Sequence, residues 1–292
     1  PIQLGQAPNG LLKENILETN AYTKWQCFYE VINQCNTVIH YAPGVNAIDP
    51  NFTDSELDAT IAEATTLRAL CYFYLIRTFR DVPYVTSPSI DDSQNYQVAA
   101  TPFETVLESI IADVEAVKED AVRSYGEESV ENTCRITRWA CYALLADLYL
   151  WKGDWQKCID CCDMVINQKI KEYEKEYEEN PTTMTVELYD IYPLISESLS
   201  NSNYAGNAYT EIFGAGNSFE SIFELNFVNN QSVANNTVSS FYGSSSNKTG
   251  QIGAPTFLYS DAYAGLNEKK KKTDCRYLEN MSESNNKIYI SK

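Results

Sequence analysis

The sequence predicts a mainly α-helical chain, built of antiparallel helix pairs and followed by an irregular, loop-rich segment with a few short strands. Three observations carry this. Apolar residues recur at intervals of three and four along most of the first 170 positions, which is the period of a helix with one buried face. Start and stop signals of helices bracket those stretches. Beyond about Tyr173 the composition changes, first to the charged run "KEYEKEYEEN" and then to a long stretch dense in Ser, Asn and Gly from Ser196 to Gly250.

From Leu11 to His40 the residues Ile16, Trp25, Phe28, Tyr29, Ile32, Cys35, Val38 and Ile39 keep the helical period, and Pro43-Gly44 is expected to close this first helix. Thr53-Asp54-Ser55-Glu56 combines capping residues with acid at a helix N-terminus and opens the second. That helix runs into "AEATTLRALCYFYLIRTFRDVPYVT", residues 62–86. A stretch so rich in rings needs cover on more than one side, and it must end by Pro83, which pushes the preceding residue out of α space. Thr101-Pro102-Phe103-Glu104 repeats the start signal, with Thr as the expected cap, and predicts a third helix to about Lys118. Ile136 to Trp151, the turn Gly153-Asp154 and Trp155 to Asn167 form another pair.

Within that pair, "ALLADLYLWKGDWQKCIDCCDMVI" (143–166) places small Ala143 and Ala146 where a neighbouring helix approaches, Leu145, Leu148 and Tyr149 in the interface, and Gly153 at the turn. It resembles a tetratricopeptide repeat, which buries its apolar face by stacking on another repeat, although no fixed period runs through the whole chain. In the later segment "ESIFELNF" (220–227) reads as a strand. Gly214-Ala215-Gly216 lacks the third glycine and the following helix of a dinucleotide loop.

Composition narrows the function classes. At 292 residues and 44% hydrophobic the chain can build a substantial core. With 22 basic and 40 acidic residues, net −18, it repels phosphate backbones, so nucleic acid is not an expected partner, and the run Lys269 to Lys272 reads as a solvated loop. The longest apolar run, Ala69 to Ile76, falls far short of the roughly 20 residues that span a bilayer. Nine cysteines, mostly at helical positions, read as free thiols. Cys158, Cys161 and Cys162 have C-x2-C spacing but neither a second pair nor a nearby histidine, so neither metal nor cofactor is expected. A single histidine, His40, argues against most hydrolytic triads.

Glu63, Leu67-Arg68-Ala69, Tyr72-Phe73, Leu75 and Asp81-Val82-Pro83 resemble the hallmark of the SusD/RagB family of nutrient-binding outer-membrane lipoproteins of Bacteroidetes, an E-A-x-x-L-R-A-x-x-Y-F helix ending in G-D-V-P. Trp25, Tyr29, Ile32 and Asn36, the tetratricopeptide-like segment, "ESIFEL", Gly253 to Pro255 and Asp274 to Arg276 follow in the family's order. The resemblance makes Glu63, Arg68, Asp81 and Pro83 structural hallmark residues, with Glu63 and Arg68 expected in ion pairs or carbonyl contacts. Arg80 stands where the family has glycine, so a left-handed helix end is strained there.

The family's further helical repeat does not follow "KIYISK". The expected organisation is therefore a tetratricopeptide-like scaffold over 1–172 and a loop-rich region over 173–292, as a fragment lacking the family's C-terminal helices. Because the chain opens at Pro1 without a leader or lipidation cysteine, any preceding segment is expected to lie outside it.

The resemblance implies a cell-surface subunit, held at the outer membrane by an N-terminal lipid, that binds glycan and passes it to a SusC-like TonB-dependent transporter without changing it chemically. The composition is compatible, with 21 tyrosines against 11 phenylalanines and 4 tryptophans. Aromatic faces stack on sugar rings while polar rims bond their hydroxyls. The candidate ligand-binding residues are Tyr96, Tyr204, Tyr209, Phe241 and Tyr242, and no catalytic residue is assigned. Two readings stand beside this one: a helical-repeat scaffold for a peptide or protein, resting on the helix pairs alone, and a helical glycoside hydrolase, resting only on the abundance of carboxylates.

Overall fold

The computed structural model describes residues 6–91, 96–127, 129–181, 185–196, 208, 211–227, 240–241, 281–284 and 287–290. Its first segment departs from the single helix expected over 11–40. A short helix α1 (Gln6–Leu12) ends in turns, and α2 (Gln26–Asn46) begins only after Trp25. Between them the amide of Asn20 donates to Ala7 O (3.0 Å) and Thr23 Oγ1 to Asn20 O (2.7 Å). Such short polar side chains offer the backbone alternatives to helical bonding. Ile16 and Leu17 are exposed, so no packing holds this stretch helical. α2 also continues past Pro43, whose carbonyl still accepts from the Ala47 N–H (3.2 Å). Near a helix end the missing proline donor removes only one bond.

α3 (Asp54–Phe79) starts with the expected capping box: Glu56 N–H donates to Thr53 Oγ1 (3.3 Å) and Thr53 N–H to Glu56 Oε2 (2.8 Å). Those bonds hold the Glu56 carboxyl below its usual range. α3 packs against α2, against α4 (Phe103–Val117) and against α6 (Arg138–Lys152). Cover on three sides explains why Ala62, Ala69, Tyr72, Phe73, Leu75 and Ile76 are all at most 1% exposed.

The end of α3 is unusual. Arg80 has φ 67° and ψ −85°, while its N–H still bonds Ile76 O (3.0 Å). Side chains other than glycine's are strained at such a φ, by about 1–3 kcal/mol. Its guanidinium pairs with Glu104 (3.1 Å), but both partners are more than two-thirds exposed, so the pair returns little. Arg80→Gly is therefore expected to raise stability by about 1 kcal/mol, read as a higher urea midpoint at unchanged slope.

After Arg80 the chain forms β1 (Val82–Pro83), paired antiparallel with β2 (Ala100–Thr101) in the register Val82 with Thr101. Thr101 therefore lies in a strand and does not cap α4, as the sequence had suggested. Pro102 takes the cap position without a side-chain bond, and the first turn is served from a distance, with Phe103 N–H donating to Asp81 Oδ1 (3.0 Å).

A short α5 (Glu131–Cys134) precedes α6, which Thr137 caps through the Ala140 N–H (3.3 Å). Gly153 closes α6 at φ 81°, with its own N–H on Leu150 O (3.2 Å) and Asp154 N–H on Tyr149 O (2.9 Å). This double bond pattern needs a left-handed residue, hence glycine. Asp154 then caps α7 (Trp155–Glu179), accepting from Lys157 N–H (3.3 Å). α7 runs twelve residues past the expected end at Asn167, because the charged stretch is made of good helix formers with same-face pairs such as Lys169 with Glu172 (3.0 Å).

The chain is thus mainly α, with α2–α3 and α6–α7 as antiparallel pairs in one core. Its described strands form two-stranded sheets: β1–β2, β3 (Val186–Tyr189) with β4 (Tyr192–Ile195), and β5 (Met281–Ser284) with β6 (Lys287–Ile290). Residues 220–227, expected as a strand, are not one. Adjacent Ile222 and Phe223 both pack on the helical core and Glu224 N–H donates to Thr133 O (2.7 Å), an arrangement that breaks the alternation a strand requires. Residues 211–215, just before, form a π-helical turn.

Candidate functional site

Tyr29, Asn33 and Asn36 of α2 and Arg68 and Tyr72 of α3 build a polar network that holds the segment 83–89 onto the two helices. Tyr72 Oη accepts from Val85 N–H (2.7 Å) and donates to Val85 O (2.8 Å). Asn36 Nδ2 donates to Val85 O (3.1 Å) and Ser87 O (3.3 Å), while its Oδ1 accepts from Arg68 Nη1 (2.8 Å). Arg68 Nη2 reaches Asp113 Oδ2 (2.9 Å) on α4, where Tyr84 Oη also donates (3.2 Å). Tyr29 Oη donates to Pro83 O (2.7 Å), and Asn33 Oδ1 accepts from Ser89 N–H (2.7 Å). Past Pro83 this segment lacks regular structure of its own, so side chains supply the partners its backbone needs.

Burial raises the phenols of this network: Tyr72 is pushed up to about 12 and Tyr29 higher still, and Tyr84 rises with it, chiefly by burial and then by the nearby Asp113 charge. Glu63 has a different partner. It takes both a 3.1 Å bond from Arg135 Nε and one from Nη2, tying α3 to the entry of α6. Arg68 and Glu63 therefore fasten separate elements.

Held in this way, the segment forms one wall of an open cleft of about 430 Å³ against the start of α2, lined by Trp25, Tyr29, Pro83, Val85, Ser87, Pro88, Ser89, Tyr96 and Val98. Trp25 sits edge-on to Tyr29 (5.8 Å between ring centres) and to Phe79 (5.2 Å), which fixes its orientation while leaving it 40% exposed. Tyr96 is 66% exposed, with its hydroxyl donating to Asp91 O (3.0 Å). Two rings that are anchored yet exposed, beside a small polar rim of Ser87 and Ser89, are what a sugar-stacking site requires.

Among the aromatic residues singled out from the sequence, Tyr96 lies in this cleft. Phe241 has its ring 5.4 Å from that of Tyr22, and neither lines the cleft. Tyr204, Tyr209 and Tyr242 lie outside the described residues, as do Gly253 to Pro255 and Asp274 to Arg276. The helical period of 11–40 places Trp25 and Tyr29 on a buried face, whereas the structure sets both in the lining of the cleft. At a helix start the apolar period cannot tell a core ring from a cleft ring, and the one available signal was the W-x3-Y spacing, which stacks both on one side.

A second cleft of about 470 Å³, between α4, α6 and α7, is lined by Glu115, Lys118, Tyr142, Tyr149, Lys157 and others. Its groups already satisfy each other. Lys118 pairs with Glu115 (2.6 Å), Tyr149 Oη donates to the same carboxylate (2.8 Å), and Lys118 and Lys157 cover the faces of Tyr142 and Tyr149. Little is left there for a sugar to bond. Among the described residues, no three of His, Cys, Asp and Glu gather to hold a metal ion, and no helix is long and apolar enough to cross a membrane.

The fold and the cleft define a helical-repeat scaffold with an aromatic recess at the edge of one helix pair. Residues 10–150 match the SusD-like family described as starch-binding and associating with the outer membrane. It is similar to SusD-like protein P2 of Formosa agariphila (29% identical over 147 residues, 50% of this chain and 27% of the relative). It is also similar to a SusD-like protein of Bacteroides ovatus (30% over 149 residues, 48% and 24%). The matched part thus spans about a quarter of each relative's length. A solved laminarin-binding SusD-like protein superimposes with TM-score 0.49 at 25% identity, covering 55% of this chain and 33% of that one.

Proposed function

We propose that this chain belongs to a cell-surface glycan-binding subunit that passes oligosaccharide, unaltered, to a SusC-like TonB-dependent transporter while held at the outer membrane by an N-terminal lipid. The observation that carries the reading is the cleft of Trp25, Tyr29 and Tyr96, held in shape by the bonds of Tyr29 to Pro83 and of Tyr72 to Val85. Residues 1–172 act in it as the scaffold, and the region from 173 onward contributes further ligand contacts, with Tyr204, Tyr209, Phe241 and Tyr242 as the candidates. The family's description as starch-binding supports the same class of ligand.

A glycan array on the purified chain, with chromatography of any hit, tests this. Intact sugar recovered from a specific hit is the expected result. Cleaved sugar would mean an enzyme, and silence toward sugars with binding of extended peptides would favour the repeat-scaffold reading.

Tyr96→Ala is expected to weaken binding of an array hit roughly tenfold, about 1.4 kcal/mol. The far-UV circular dichroism should stay unchanged, because the side chain is largely exposed. Undiminished affinity, measured by titration calorimetry, would remove Tyr96 from the site.

A further inference from the structure

We infer that this cleft is selective for uncharged glycans and rejects polymers bearing carboxylate or sulfate groups. The inference rests on the glycan-binding reading above and adds the charge class of the ligand. Of the nine described residues lining the cleft, three are aromatic, four are Pro or Val, and two are Ser; none of these nine carries a charge.

The phenol of Tyr29 is committed to Pro83 O, and burial holds it protonated. An anionic sugar entering here would give up water around its charge and meet no cation among the described lining residues, a cost that grows as the charge is desolvated. The rest of the chain adds to the penalty, since 40 acidic residues face 22 basic ones. The Arg68 charge is not part of the described lining and is already paired with Asp113 and bonded to Asn36. Lys24 is exposed and next to Trp25 in sequence, but it is not part of the lining. A neutral ring escapes these costs. Its C–H face stacks on Trp25 or Tyr96, and its hydroxyls bond Ser87, Ser89 or the backbone between them.

Native affinity electrophoresis tests this directly, with wild type and Tyr96→Ala run through gels containing starch or laminarin as neutral polymers and alginate or polygalacturonate as polyanions, at low and at high salt. The expected result is retardation by at least one neutral polymer, unchanged by salt and reduced roughly tenfold in affinity by Tyr96→Ala, with free migration through both polyanions. Retardation by a polyanion that Tyr96→Ala lowers would overturn the charge selectivity while leaving glycan binding intact. Free migration through all four, together with silence on the array, would overturn the glycan reading itself and this inference with it.

Discussion

Arg68→Ala is expected to lower the unfolding free energy by about 3 kcal/mol, among the largest effects of any single substitution in the chain. The side chain is 9% exposed and holds three elements together: Asn36 on α2, its own helix α3, and Asp113 on α4. Removing it leaves Asn36 Oδ1 buried without its donor and Asp113 with the Tyr84 hydroxyl in place of a full positive charge. Breaking a buried pair from one side costs more than the pair contributed, because the remaining charge stays desolvated. Asp113 is 31% exposed, so water offsets part of that loss and the value belongs at the lower end of the usual range. A urea midpoint unchanged within error would mean that the network does not fasten α2 to α4.

Tyr72→Ala is expected to cost about 3–4 kcal/mol and, in addition, to free the segment that walls the cleft. The ring is fully buried against Tyr29 and Tyr84, so truncation leaves a cavity in the centre of the core. Its hydroxyl is also the group that both donates to and accepts from Val85. Tyr72→Phe separates the two contributions, keeping the ring and losing the bonds, at about 1–2 kcal/mol. In both variants hydrogen exchange at Val85 should accelerate, and Tyr72→Ala should weaken glycan binding even where the protein remains folded.

The phenol also sets a pH limit. Its folded value of about 12 lies above the ordinary value near 10, so above pH 10 the unfolded chain holds fewer protons than the folded one. The stability it contributes is therefore complete below about pH 10 and is lost as pH rises through 12. Tyr72→Phe should flatten that alkaline fall. A variant with the same alkaline slope as wild type would place the titration elsewhere.

The helices were legible because their causes are local. The Thr53–Glu56 capping box, the Gly153 turn and the three- and four-residue spacing of α3 each lie within a few positions of the residues they organise. Where the sequence misled, a distant or packing effect took over. Thr101 looks like a cap until β1 pairs with it and Asp81 serves α4 in its place. "ESIFELNF" looks like a strand until the helical core takes both Ile222 and Phe223.

The sequence by itself determined the mainly helical class, the motif around Arg68 and Pro83 and the net negative charge, since composition, period and short motifs need no knowledge of what meets what. The tertiary structure decided where an aromatic recess forms. That site depends on Tyr29 reaching Pro83, Asn36 reaching Val85, Asn33 reaching Ser89 and Arg68 reaching Asp113, contacts between residues 45 to 56 positions apart that no local pattern encodes. Chain folding alone brings a tryptophan from the start of one helix and a tyrosine from a distant loop into the lining of one recess.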